Sequence, residues 1–302
     1  MEIYLPIAGM PVSILLLLGV GFGTGILSGM FGLGGGFLTT PLLILIGIPP
    51  TVAVGSEASH IAASSVSGLV AHARRGNVDL RMGLVLLAGG TLGAITGLAI
   101  FRLLSRLGQI DDAISLIYVV VLGTVGVLMG LESLRALRRH RLGIRYRPSR
   151  QTLLRGLPLR VPFRRSGRYM SIVPPVLTGF VVGVLSTIMG VGGGFILVPA
   201  MIYLLGVPTR VVVGTSLLQI AVVTTIATFL HAAFNQNVDL LLGLLLLIGA
   251  VVGAQIGSRL MVQLRGEQIR FLMAGLVLLV VVMLGLNLVL PPDDPFIVER
   301  VL

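Results

Sequence analysis

Gly32-Leu33-Gly34-Gly35-Gly36-Phe37 returns as Gly190-Val191-Gly192-Gly193-Gly194-Phe195, the same pattern 158 residues further on. The match continues outward from there. Pro41 pairs with Pro199. At an offset of 159, Gly47-Ile48-Pro49 pairs with Gly206-Val207-Pro208, Gly55-Ser56 with Gly214-Thr215, and His72 with His231. At 160, Asn77-Val78-Asp79-Leu80 pairs with Asn237-Val238-Asp239-Leu240, and Gly89, Gly93 and Gly97 with Gly249, Gly253 and Gly257. So many uncommon residues in one order identify an internal duplication.

Each half carries five apolar segments, near 12–30, 37–48, 52–72, 82–101 and 113–131, then 172–189, 195–206, 211–231, 240–260 and 271–290. The chain is 55% hydrophobic and 11% charged, with mean hydropathy +1.05. A soluble domain needs roughly 25% charged residues to cover its surface. Segments of this length cross a hydrocarbon core as helices, which satisfy their own backbone polar groups. The alternating pattern of a membrane β-barrel is absent. The fold class is therefore an all-α integral membrane protein of two five-segment repeats, with the first apolar stretch retained rather than cleaved as a signal peptide. Segments 37–48 and 195–206 follow the Gly-rich breaks, contain Pro41 and Pro199, and are too short to span alone. They either cross with help or re-enter; both leave an odd number of crossings per half.

Arginine sets the relative orientation of the halves. Arg74, Arg75 and Arg81 flank the loop after the third segment of the first half, whereas its counterpart between His231 and Leu240 has no basic residue. After the fourth segment, Arg102 and Arg106 are offset by Asp111 and Asp112, while Arg259, Arg265 and Arg270 face Glu267 alone. Basic loops stay cytoplasmic, so equivalent loops lie on opposite sides and the repeats are inverted. Three regions follow: a first membrane repeat over 1–134, an Arg-rich cytoplasmic loop over 135–171, and a second repeat over 172–302. Of the 22 basic residues, all arginine, 12 lie between Arg135 and Arg168, with no acidic residue among them. Between membrane segments such a run suits anionic lipid rather than nucleic acid. Both termini then fall outside. The absence of cysteine excludes disulfides and thiol chemistry.

The glycine turn, Gly214-Thr215-Ser216-Leu217, His231 and Asn237-Val238-Asp239, with Gly55-Ser56-Glu57-Ala58, His72 and Gly76-Asn77-Val78-Asp79 in the first half, resemble the sulfite exporter TauE/SafE family of the toluene-sulfonate uptake permease superfamily. The likeness covers roughly residues 12–290 and lapses in the Arg-rich loop. It implies a multi-pass secondary transporter, in the plasma (inner) membrane of a prokaryote, for sulfite, a sulfonate or another organosulfur anion. Proton coupling is a further implication. This sequence departs from the pattern at Glu57, where the motif is neutral, and adds His60 one turn later.

The residues themselves point to anion chemistry. Inverted-repeat transporters place substrate where short, interrupted helices meet. A helix opening at Phe37 or Phe195 presents free N–H groups and a positive dipole end. Gly34, Gly35, Gly36, Gly192, Gly193 and Gly194 let backbone approach a ligand; Ser56, Thr215 and Ser216 add hydroxyls, with Ser59 and Gln219 as further polar lining. The bland alternatives are tight turns and interhelical hydrogen bonds. Glu57 and His60 share a helix face, and a carboxylate inside a membrane marks function by default, here proton coupling. Mutual satisfaction of the pair, or a place in the headgroup region, is the structural alternative. The Gly89 and Gly249 ladders read as helix packing. His72 and His231 read as structural, with Asp79 and Asp239 as candidate partners. No nucleophile–base set and no metal constellation appears, so the reading is a transporter without cofactor or metal, not an enzyme. An anion channel or a non-catalytic membrane subunit is the alternative, and a homo-oligomer stays open.

Because the chain has no cysteine, single-cysteine labelling tests the inversion cleanly. Cysteines at Ser149 and Asn235 are expected to react from opposite sides of the membrane; reaction from one side contradicts inverted repeats.

Overall fold

The computed structural model describes residues 2–31, 36–141, 160–163, 166, 168–261 and 266–289. The first repeat holds α1 (Ile14–Phe31), α2 (Gly36–Leu45), α3 (Pro50–Arg74), α4 (Leu80–Arg106) and α5 (Ile110–Arg141). The second holds α6 (Val173–Met189), α7 (Gly194–Pro199), α8 (Thr209–Leu230), α9 (Leu240–Met261) and α10 (Gly266–Val289). A small antiparallel hairpin precedes each set: β1 (Glu2–Leu5) with β2 (Met10–Ser13), and β3 (Arg160–Phe163) with β4 (Arg168–Ser171). Glu2 pairs with Ser13 and Arg160 with Ser171, so the hairpins keep the 158-residue offset of the glycine motif. The repeat unit thus begins at the hairpin, upstream of its first apolar segment. Helix α5 also runs on to Arg141, past residue 134, into the Arg-rich stretch.

The distribution of side chains is that of a protein solvated by lipid. Leu84, Leu128 and Leu244 face outward, more than half exposed, while Ser56, Glu57, His60, Thr215, Ser216 and Gln219 are buried. Among the described residues four helices, over Leu80–Arg106, Ile110–Leu131, Val211–Asn235 and Leu240–Gly257, are long and apolar enough to cross a membrane. Helix α3 has the length, with 25 residues, but its serines, Glu57 and two histidines lower its hydropathy. Its polarity is tolerable because it lies inside the bundle against α8.

Helix starts follow local chemistry. Pro50 opens α3, and Pro174 and Pro175 open α6, positions where the missing N–H costs nothing. Pro199, inside a helix, withdraws a donor from the ladder. The chain then widens into a π-helical turn over Ala200–Leu204. A second π turn covers His231–Asn235 at the end of α8.

The short helices return to the face they came from. Leu5, Val12 and Leu17, at the start of α1, share one apolar cluster with Leu43 and Ile48 at the end of α2. Phe163 and Val182, around α6, likewise meet Leu205 and Val207 beyond α7. Ten residues of α2 rise only about 15 Å, half of a hydrocarbon core. The α1–α2 and α6–α7 pairs are therefore helical hairpins whose open ends lie together.

The two repeats interlock by exchange. Helix α1 lies along α9, and α4 along α6. At Gly21 and Gly25 a Cβ would overlap the carbonyl oxygens of Leu246 and Ala250, and at Gly249, Gly253 and Gly257 those of Leu18, Phe22 and Ile26. The second pair repeats this: Gly89 and Gly93 meet Val176 and Phe180, and Gly179 and Gly183 meet Leu86 and Gly90. Residue numbers rise together in both pairs, so both are parallel. In contrast, Gly123 meets Val281, Gly126 meets Val277, and Gly130 meets Ala274. The equivalent helices α5 and α10 therefore run antiparallel.

Hydrogen bonds tie the exchange at both ends. The Asp79 backbone N–H donates to Thr215 Oγ1 at 3.0 Å, and the Asp239 N–H to Ser56 Oγ at 2.8 Å. Asp79 Oδ1 caps α4 by accepting from the Met82 N–H, and Asp239 Oδ1 caps α9 by accepting from Leu241 and Leu242. Each remaining carboxylate oxygen holds the other repeat's hairpin. Ser166 donates to Asp79 Oδ2 through N–H at 2.9 Å and Oγ at 2.8 Å; Ile7 donates to Asp239 Oδ2 through N–H at 3.2 Å. One aspartate thus joins helix, opposite repeat and hairpin at each end of the molecule.

Candidate functional site

Gly36, which follows the first Gly-rich run, and Gly192, within the second, both lie against the centre of the bundle. The Phe37 and Phe195 rings, which follow equivalent breaks, stack with centroids 5.8 Å apart and planes at 29°. Residues related by the duplication touch only near an axis of pseudo-symmetry, so this pair places the axis between the two breaks. Ile61 of α3 lies beside both. A Cβ on Gly36 would overlap its Cδ1, and a Cβ on Gly192 would stand 2.7 Å from its Cγ2. Gly192 also faces Thr224 and Ile220, the counterpart of Ile61, across 3.0 Å each.

The second break is a left-handed turn. Gly190, Gly192 and Gly193 have φ of 70°, 69° and 70°, a region that costs any residue with a Cβ. Tyr118 of α5, fully buried, donates its hydroxyl to the Met189 carbonyl at the end of α6. It satisfies an acceptor that the broken helix leaves open. Gly34 and Gly35 lie outside the described residues. Gly36 is the first residue of α2, so the open N–H groups of that helix point into the centre.

Glu57 and His60 meet there. Both are buried, Glu57 completely, and His60 Nδ1 lies 3.0 Å from Glu57 Oε1. The same oxygen is 3.0 Å from where a Cβ on Gly36 would sit. Glu57 Oε2 and His60 Nε2 have no protein partner, nor do Gln219 Oε1 and Ser186 Oγ. Buried polar atoms are nearly always bonded, so the two orphans of the Glu57–His60 pair mark a place for water or a ligand. Among the described residues no three His, Asp or Glu side chains gather as metal ligands.

The remaining sequence candidates separate by position. Ser56 and Thr215 direct their hydroxyls to Asp239 and Asp79 in the opposite repeat, not to the break. Ser216 Oγ donates back to the Val213 carbonyl, and Ser59 Oγ to that of Ser56. Gly193 and Gly194 form the start of α7, where a Cβ on Gly193 would overlap Val182. His231 is structural but not through Asp239: its Nε2–H donates to the Thr187 carbonyl, its Nδ1 accepts from Asn235, and Phe101 meets its ring edge-on. Tyr118 and Ser186 were not singled out from sequence. A lone tyrosine hydroxyl inside the apolar run 113–131 was the available signal. The recess lined by Asp111, Asp112, Ser115 and Asn287, about 160 Å³, lies toward one end of the bundle. Its two carboxylates make it a poor anion seat.

The model of the sulfite exporter TauE/SafE family matches residues 17–284, nearly the whole of this arrangement. The chain belongs to that family. It is 30% identical over 269 residues to the probable membrane transporter protein YjnA of Bacillus subtilis (strain 168), covering 89% of this chain and 97% of the relative. It is also 30% identical over 250 residues to a probable membrane transporter protein of Xylella fastidiosa (strain 9a5c), covering 82% and 85%. No solved structure matches the chain significantly. As a member of this family the protein is a multi-pass membrane transporter.

The contact of Gly36 with Ile61 is testable. Gly36→Ala is expected to remove most transport while the protein still inserts. Adding Ile61→Ala is expected to restore about tenfold, a coupling of about 1–2 kcal/mol that is ordinary for touching side chains. Additive losses in a transport assay on the double variant contradict the contact.

Proposed function

We propose that this protein is a secondary transporter of a small anion, namely sulfite, a sulfonate or another organosulfur anion, working by alternating access between its two repeats. The observation that carries this reading is the approach of Gly36 and Gly192, equivalent regions of the two repeats, to the same Ile61, with the start of α2 beside them. Backbone N–H groups and a positive dipole end favour an anion, and a re-entrant helix delivers them to mid-depth. The substrate-contacting set is Gly34, Gly35 and Gly36 with Gly192, Gly193 and Gly194, supported by Ser216 and Gln219. Ser56 and Thr215 serve at the ends of the bundle, where they hold the repeats together and let go as one side opens.

The reading of sidedness is supported by which groups share an end. Ser166, in the hairpin that closes the Arg-rich stretch, bonds Asp79 beside Arg74, Arg75 and Arg81. The opposite end gathers Ile7, Thr51, Asp111 and Asp239, with Arg102 over the Phe234 ring and Asp111 and Asp112 to offset it. By the positive-inside tendency the first end is cytoplasmic, where the arginines meet anionic lipid, and both termini are outside. Antiparallel α5 and α10 support the inverted arrangement.

A carrier is favoured over a channel because the central residues are sealed from solvent, with Glu57 fully buried and His60 3% exposed. Counterflow in proteoliposomes separates the two. Vesicles preloaded with unlabelled sulfite are expected to accumulate labelled sulfite transiently above equilibrium. Simple equilibration, without overshoot, indicates a pore.

A further inference from the structure

A carboxyl group of the protein lies beside the start of α2. Gly36 begins a ten-residue helix whose first N–H groups have no acceptor within it. Glu57 Oε1 lies 3.0 Å from the Cβ position of Gly36. Glu57 is wholly buried, its Oε2 has no protein partner, and its single ion-pair partner among the described residues is His60. Other charged groups are sparse around it. Helices α2 and α6 carry no ionisable side chain, and α8 and α9 carry only Arg210 and Arg259, near their ends. From α5, Tyr118 interacts with Glu57, while Asp111 and Asp112 lie at one end of that helix and Glu132, Arg135, Arg138, Arg139, His140 and Arg141 toward the other. The second repeat has no counterpart: at the offset of 159, Glu57 becomes Ser216 and His60 becomes Gln219.

We infer that Glu57 is a tethered competitor of the transported anion. Its carboxylate takes the anion-attracting end of α2 when the site is empty, and substrate takes that end only as Glu57 gains a proton. This rests on the transport reading above and adds its stoichiometry: one proton enters the site with each anion. The centre then holds one negative charge in either state, on Glu57 when empty and on the substrate when loaded. Two negative charges close together in a medium of low dielectric repel strongly, so the doubly charged state is avoided. His60, bonded to the same oxygen, is the group through which the proton arrives, with its free Nε2 directed away from the carboxylate bond. A neutral Ser216 and Gln219 in the second repeat leave that side free to hold the other face of the ligand.

The test is calorimetric titration of the purified full-length protein with methanesulfonate and toluenesulfonate, which stay ionised at every pH used. Repeating it in buffers of different ionisation enthalpy counts the protons taken up. The expected result is one proton per anion, with Kd rising close to tenfold per pH unit where Glu57 is ionised. Glu57→Gln is expected to bind the same anion with no proton uptake and a Kd flat within about twofold across that range. Wild-type binding without proton uptake overturns the inference and leaves the transport reading standing, and it does so even if the variant fails to fold. Proton uptake that persists in folded Glu57→Gln also overturns it. If neither sulfonate binds the wild type, the sulfonate-transport reading falls and this inference falls with it.

Discussion

Backbone lies against backbone wherever the two repeats cross, and the rest of the molecule depends on that closeness. Along α1–α9 and α4–α6 the glycines leave no room for a Cβ: at Gly257 and Gly183 it would overlap a carbonyl of the partner helix. In lipid there is little hydrophobic drive to bring helices together, so close packing is what associates them. The pairs form between repeats rather than within them. Neither repeat buries its glycine face alone, and the duplication is thereby locked into one interleaved body. The same exchange delivers α3 and α8 to the centre, where polar residues are tolerated because lipid does not reach them.

From this follows the division of labour among the polar residues. Those at the ends, Asp79 with Thr215 and Ser166, and Asp239 with Ser56 and Ile7, bond from one repeat to the other. At the centre, Glu57 Oε2 and His60 Nε2 are left without a protein partner. A satisfied network holds a shape, whereas unsatisfied buried groups invite a ligand. The end networks are also unequal. Asp79 Oδ2 accepts two hydrogen bonds from Ser166, Asp239 Oδ2 one longer bond from Ile7.

Most of the fold was legible because its signals are long and compositional. Twenty apolar residues in a row, a twelve-residue segment after a glycine run, and a ladder of glycines at four-residue spacing each have few structural readings. The hairpins were not legible: strands of four residues, one carrying Pro11 and the other Pro162, give too little alternation to separate from loop. Their equivalence emerges only from the register, which keeps the 158-residue offset after the sequences have diverged. At the site, Glu57 and His60 announced themselves as charge in an apolar run. That Gly36 faces Glu57 was invisible, since their proximity depends on α2 folding back beside α3. Ser56 and Thr215 looked like cavity lining for the same reason: a hydroxyl in a membrane helix does not say which neighbour it will find.

The central claim is that the two repeats form one interleaved body whose ends open in turn. The most direct measurement is pulsed electron–electron distance determination on reconstituted protein with two label pairs. One pair, at Pro6 and Gln236, reports the Asp239 end; the other, at Tyr169 and Arg75, reports the Asp79 end. The account predicts reciprocal populations: conditions that lengthen one distance leave the other short, and adding anion shifts the balance between them. Two distances that stay fixed with and without anion, or that lengthen together, contradict it.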